Sequence, residues 1–124
     1  RHPIISALSY PDFIENNLEI FDFLNFDENG VTLSFFPPKD DVFPMLNFAY
    51  KAVEKGVGSQ IAYNAANEVA VDNFIKGQIN FSDISLVVEQ VLEKNWQKLP
   101  NDFDEVFDID RISRKFATDI IAKL

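Results

Sequence analysis

The sequence predicts a mainly α protein: a four-helix bundle-like domain over residues 42–124, preceded by an irregular connecting segment over residues 1–41 that holds a short strand or hairpin. Three observations carry this expectation. From Phe43 onward, apolar residues recur at helical spacing. Gly and Pro fall between the periodic runs, where helices stop. The first 41 residues are instead broken by Pro3, Pro11, Pro37 and Pro38 into short apolar groups, and Arg1 and Lys39 are their basic side chains among many acids.

In the connecting segment, Pro3 to Leu8 has room for one or two helical turns before Pro11. Val31, Leu33 and Phe35 alternate with Thr32 and Ser34 after the turn signal Asn29-Gly30, the pattern of a short strand, and Phe21 to Phe26 is a candidate hairpin partner. A two-stranded ribbon is marginal by itself, so this segment needs the bundle or a further partner.

The first helix of the bundle is expected over Phe43 to Lys55, with Leu46, Ala49, Tyr50 and Val53 at i, i+3, i+4 and i+7, Pro44 in its first turn and Gly56 as its stop. The second, Ser59 to Lys76, carries Ala62, Ala66, Ala70 and Phe74 at intervals of four and stops at Gly77. Its small residues allow close approach of a neighbouring helix. The third, Ser82 to Lys94, is expected to use Ser82 as N-cap, with Asp83 favourable to the helix dipole and an apolar stripe of Ile84, Val87, Val88, Val91 and Leu92. The fourth is placed from Asp110, read as its N-cap, to the C-terminus, on Ile112, Phe116, Ile120 and Leu124. Short connections imply antiparallel or moderately crossed neighbours.

Composition narrows the chemistry. In 124 residues there are 11 basic and 20 acidic side chains, a formal charge of −9, with no Cys and one His. Such a charge repels phosphate backbones, and Arg111, Arg114 and Lys115 sit among Asp108, Asp110 and Asp119, so nucleic acid is not an expected partner. No apolar run approaches the roughly 18–20 residues of a membrane span, no membrane partner is expected, and the absence of Cys fits a reducing cytoplasm. A start at Arg1-His2-Pro3 without Met reads as a piece of a longer product.

The candidate chemical features are few. His2, beside Pro3, lacks a nearby nucleophile, and it is the one side chain that could serve as base to a Ser or Thr, so nucleophilic catalysis is not expected. Asp102, Asp104, Glu105, Asp108 and Asp110 lack the Gly and Glu spacing of a calcium loop and interleave with Phe103, Val106, Phe107 and Ile109; they read as a solvated acidic turn with an apolar inner side. Gly56-Val57-Gly58 is not followed by the residues of a phosphate loop. The most unusual feature is Asn64-Ala65-Ala66-Asn67-Glu68, which puts Asn64, Asn67 and Glu68 at i, i+3 and i+4 on one patch. Two readings stand beside each other: a ligand contact, or a buried hydrogen-bond lock against another helix or the N-terminal segment.

The run Tyr63 to Val71, followed by Phe74-Ile75 and Ile79-Asn80-Phe81-Ser82-Asp83-Ile84, resembles the C-terminal region of 1-deoxy-D-xylulose 5-phosphate reductoisomerases. Matches in the same order upstream are Pro3-Ile4, Tyr10-Pro11-Asp12, Leu33-Ser34-Phe35, Pro38, and Phe43-Pro44 with Leu46, Ala49 and Tyr50; downstream lie Ile109-Asp110 and Arg114. Together they cover nearly the whole chain. Departures are Phe13 at a usual Arg, Lys39 at a common Asp, Met45 at a frequent Cys and Tyr63 at a usual Leu, and Glu19 to Thr32 is longer than typical.

The resemblance implies a parent enzyme that isomerises 1-deoxy-D-xylulose 5-phosphate and reduces the product with NADPH and a divalent metal, Mg or Mn, in non-mevalonate isoprenoid biosynthesis, as a cytoplasmic homodimer. It implies also that the nucleotide domain, metal carboxylates and phosphate ligands lie upstream of this region. No catalytic, cofactor-binding or metal residue is therefore expected in this chain, which alone is expected to be inactive, with the missing N-terminal and catalytic domains as its partners. The alternative from a different class is a free-standing acidic helical module that binds a partner protein through apolar residues of Phe13 to Phe36.

Overall fold

The computed structural model describes residues 2–12, 14, 32–96 and 99–124, with the side chains of residues 2 and 3 outside that description. The chain divides into two compact units, Arg1–Phe36 and Pro37–Leu124. In the first, α1 spans His2–Ser9 and ends before Pro11, with the Asp12 N–H donating to the Ser9 carbonyl at 2.8 Å. The described part of the expected strand, Leu33 and Phe35 included, is not in a strand, and no strand occurs among the described residues. Val31, the Asn29-Gly30 turn and the hairpin partner Phe21 to Phe26 lie outside the described residues, as does Phe13.

The second unit holds four helices, α2 (Met45–Lys55), α3 (Val57–Ile75), α4 (Phe81–Leu92) and α5 (Phe103–Ile121). α3 is the central element and packs against the other three; α4 also meets α2 and α5. That position explains its composition. Gly58, Ser59, Ala62, Ala65, Ala66 and Ala70 are all buried, so apolar and small residues occupy several faces of α3 rather than one stripe. The core around them is built by Phe48 and Ala52 of α2, by Ile84, Val87, Val88, Val91 and Leu92 of α4, and by Ile109 and Ala117 of α5. Val87, Val88 and Val91 are fully excluded from solvent, each contributing about 1.5–3 kcal/mol of apolar burial.

Each junction has a local cause. Gly56 alone separates α2 from α3: at φ 109° and ψ 178° it donates to the Ala52 and Val53 carbonyls while its own carbonyl accepts from the Ser59 and Gln60 amides. α3 thus begins at Val57, two residues before its predicted start. Its far end closes on Gly77 at φ 70°, where the Gly77 N–H donates to Phe74 and that of Gln78 to Asn73, the bond pair of a Schellman turn. The N-cap of α4 is Asn80 and not Ser82, because Asp83 reaches back to accept from the Asn80 N–H at 2.7 Å. At the other end of α4, Trp96 Nε1 donates to the Val91 carbonyl at 2.7 Å and Lys55 Nζ to that of Leu92 at 2.9 Å, satisfying acceptors that the helix leaves open.

The largest correction concerns α5. It starts at Phe103, seven residues before the predicted cap at Asp110, so the supposed acidic turn is its first two turns. Asp102 is the cap, accepting from the Glu105 N–H at 2.9 Å, while Glu105 accepts from the backbone and side-chain amides of Asn101 at 2.9 and 3.0 Å. Acids in a first turn favour the positive end of the helix dipole, which overrides the open look of the sequence there.

Candidate functional site

The polar patch predicted on α3 meets α5. Val57, Ile61, Asn64 and Glu68 fall at i, i+4, i+7 and i+11 along α3, and Phe103, Phe107, Asp110 and Arg114 repeat that spacing along α5. A cleft of about 500 Å³ opens between the two rows, lined by Val57, Gln60, Ile61 and Asn64 on one side and by Val106, Phe107, Asp110 and Arg114 on the other. Both helices run in the same sense along this seam, since their early residues share the cleft and Glu68 meets Arg114 beyond it.

Arg114 closes that end. Its Nη2 donates to Glu68 Oε2 at 2.6 Å, and its Nε and Nη2 donate to the two carboxylate oxygens of Asp110 at 2.7 and 3.1 Å. Asn64 Nδ2 completes the network by donating to Glu68 Oε1 at 3.0 Å. The Arg114 hydrogen bond, then that of Asn64, then the Arg114 charge hold the Glu68 carboxyl below the usual glutamate range. Arg114 is raised in turn, by hydrogen bonds to Asp110 first and Glu68 second.

This is the interhelical lock foreseen for the motif, with two corrections. It lies at the surface rather than in the interior, because the Glu68 side chain remains 53% exposed and that of Arg114 39%. It also joins Glu68 to α5 through Arg114, a partner 46 residues away that sequence spacing did not bring to the patch. Asn67 is half-buried one step round the helix, and its side chain takes no part in the network. Two further positions that depart from the resembled family meet each other: Tyr63 Oη donates to the Met45 carbonyl at 3.2 Å, tying α3 to the start of α2, and burial pushes the Tyr63 phenol up.

The remaining candidates do not converge. Asp108 pairs with Arg111 at 2.9 Å, Asp110 with Arg114, and Asp102 caps α5, so these three carboxylates make their contacts along one helix. Among the described residues, no group of three His, Cys, Asp or Glu side chains is arranged to hold a metal ion. Gly56-Val57-Gly58 forms the α2–α3 joint, with the next two amides already bonded to the Gly56 carbonyl. His2 lies in α1, and its side chain is outside the described residues. No described helix is long and apolar enough to cross a membrane.

Comparison with known proteins identifies a family. The 1-deoxy-D-xylulose 5-phosphate reductoisomerase of Treponema denticola is 40% identical over 117 residues, which is 94% of this chain and 30% of that protein. The enzyme of Shewanella frigidimarina is 36% identical across the whole chain, again 30% of its own length. The solved reductoisomerase of Zymomonas mobilis, in complex with NADPH, superposes on 99% of this chain with a TM-score of 0.78 at 31% identity, using 32% of that structure. A second structure, with NADPH, fosmidomycin and magnesium, gives 0.69 at 29% identity. The chain therefore spans about 30% of the length of the curated relatives it matches. The sequence model of the DXP reductoisomerase C-terminal domain matches residues 1–116, and the chain belongs to that family.

Proposed function

We propose that this chain serves as the C-terminal structural domain of an NADPH-dependent 1-deoxy-D-xylulose 5-phosphate reductoisomerase, bracing the catalytic part of the enzyme without taking part in the chemistry. In this reading residues 1–41 are the connecting segment and residues 42–124 the bundle. The observation that carries the reading is the family match over residues 1–116 to relatives of which the chain spans only about 30%.

NADPH and a divalent metal act elsewhere in that parent. The described residues do not offer a fit to either group: Asp108 and Asp110 are paired with Arg111 and Arg114, Asp102 caps α5, and Gly56 forms a joint between helices rather than a cradle. The partners are the other domains of the same polypeptide, in a homodimeric, cytoplasmic enzyme of isoprenoid precursor synthesis. The free-standing interaction module is not favoured by relatives that are all named as the reductoisomerase.

The test uses the full reading frame. A protein encoding about twice this length again upstream is expected to oxidise NADPH with 1-deoxy-D-xylulose 5-phosphate and magnesium, whereas the 124-residue chain shows neither turnover nor NADPH binding by calorimetry. A start codon adjoining Arg1, or a micromolar dissociation constant for NADPH on the isolated chain, would overturn the proposal.

A further inference from the structure

The seam between α3 and α5 is closed at one end and open at the other. Beyond the Glu68–Arg114 pair, the cleft is lined by Val57, Ile61, Val106 and Phe107, the last 67% exposed, and Phe103, 79% exposed, lies one turn before Phe107 on α5. Two phenylalanines at i and i+4 on a helix that buries Ile109, Ser113 and Ala117 are not core residues of this bundle. They add apolar surface to a concave site, the arrangement expected where another protein surface docks. Of the α5 acids, Asp110 lines the cleft, with its carboxylate already bonded by Arg114.

We propose that this open half of the seam is the seat of the upstream, catalytic part of the same polypeptide, received as an apolar knob inserted between α3 and α5. The inference rests on the proposed function and adds the place of contact. The occupant follows from length: relatives carry about 70% of their chain outside the matched region, and a bracing domain must present apolar surface to it. The site's chemistry describes the knob: one or two aliphatic or aromatic side chains that occupy part of a cleft of about 500 Å³, with polar neighbours that meet the exposed Gln60 and Asn64 on its α3 side. The Glu68–Arg114–Asp110 network then acts as a fixed end wall, holding the two helices at the spacing that the knob requires.

Hydrogen exchange on the full-length protein and on the 124-residue chain tests this directly. Amides of α5 from Phe107 to Arg114 are expected to exchange at least about tenfold more slowly in the full-length protein, because docking suppresses local opening of the helix. Phe107→Asp should abolish that difference and leave the melting temperature of the 124-residue chain unchanged, since Phe107 is exposed there. Equal exchange in the two forms would refute the docking assignment. Protection that appears in the 124-residue chain and grows with its concentration would refute it too, by assigning the cleft to a second copy. If the full-length protein turns over the sugar phosphate while the cleft exchanges equally in both forms, the docking assignment fails and the proposed function stands. Absence of turnover with intact protection would count against the function instead.

Discussion

Arg114 holds together groups that the sequence distributes over 46 residues. Its guanidinium takes Asp110 on its own helix with two hydrogen bonds and uses the rest of its fork on Glu68 of α3, a geometry that Lys could not reproduce. Because these side chains are partly solvated, the pair is expected to stabilise modestly and to weaken with salt. In a double-mutant cycle, Arg114→Ala and Glu68→Gln should each lower the melting temperature slightly and together less than additively. Strict additivity would show that the bridge carries no coupling. The pH dependence follows from the same contacts: Glu68 is depressed in the folded state, so its contribution is complete above the ordinary glutamate range and is lost as pH falls through the depressed value. Glu68→Gln should therefore flatten the acid limb of the stability curve and leave neutral pH to alkaline behaviour in parallel with the parent chain. The pattern Asn64, Asn67, Glu68 was legible as a patch that needs partners. Its partner was not, because i, i+4 logic finds Asp110 for Arg114 and is silent about contacts across the bundle.

At the level of elements, spacing located α2, α3 and α4 but misjudged ends and, in α2, the buried face: Leu46, Tyr50 and Val53 of the expected stripe are exposed, and Phe48 and Ala52 meet the core instead. α5 shows why ends are missed. Its first two turns hold Asp102, Asp104, Glu105 and Asp108 among Phe103, Val106 and Phe107, and acidity with outward-facing aromatics looks like a turn until the cap at Asp102 and the dipole are considered together. The joint between α2 and α3 shows the opposite case, in which one residue decides the geometry. Gly56 holds φ 109° with both its amide and its carbonyl engaged by flanking helices. Beyond Gly56 and its two chain neighbours, no atom lies within 4 Å of the position a Cβ would take, so the cost of a side chain there is conformational and not steric crowding. Gly56→Ala is expected to destabilise by about 1–3 kcal/mol, the usual cost of a non-glycine residue in such a region. Thermal or urea unfolding measures it. An unchanged midpoint would mean that α2 and α3 can reorient about a relaxed joint, and that the rigid one-residue connection is not required for packing α3 against α4 and α5.

For the whole molecule, the distribution of the core matters more than any single contact. Every described residue of the hydrophobic cluster, from Met45 to Ile121, belongs to the unit Pro37–Leu124, including Trp96, whose ring packs edge-on to Phe116 at 6.1 Å. A bundle of this size sits at the lower end of what one core sustains, yet α3 is enclosed by three helices and its caps are satisfied at both ends. A chain of residues 37–124 is expected to unfold cooperatively, with a midpoint close to that of the 124-residue chain and with Trp96 fluorescence reporting a buried indole. Trp96 is well suited to that readout, being the sole tryptophan and buried, with its N–H committed to Val91. A broad, non-cooperative transition, red-shifted emission or strong binding of a hydrophobic dye would show the opposite. Residues 1–36 would then be part of the bundle's own stability, and the bracing role would extend through the connecting segment itself.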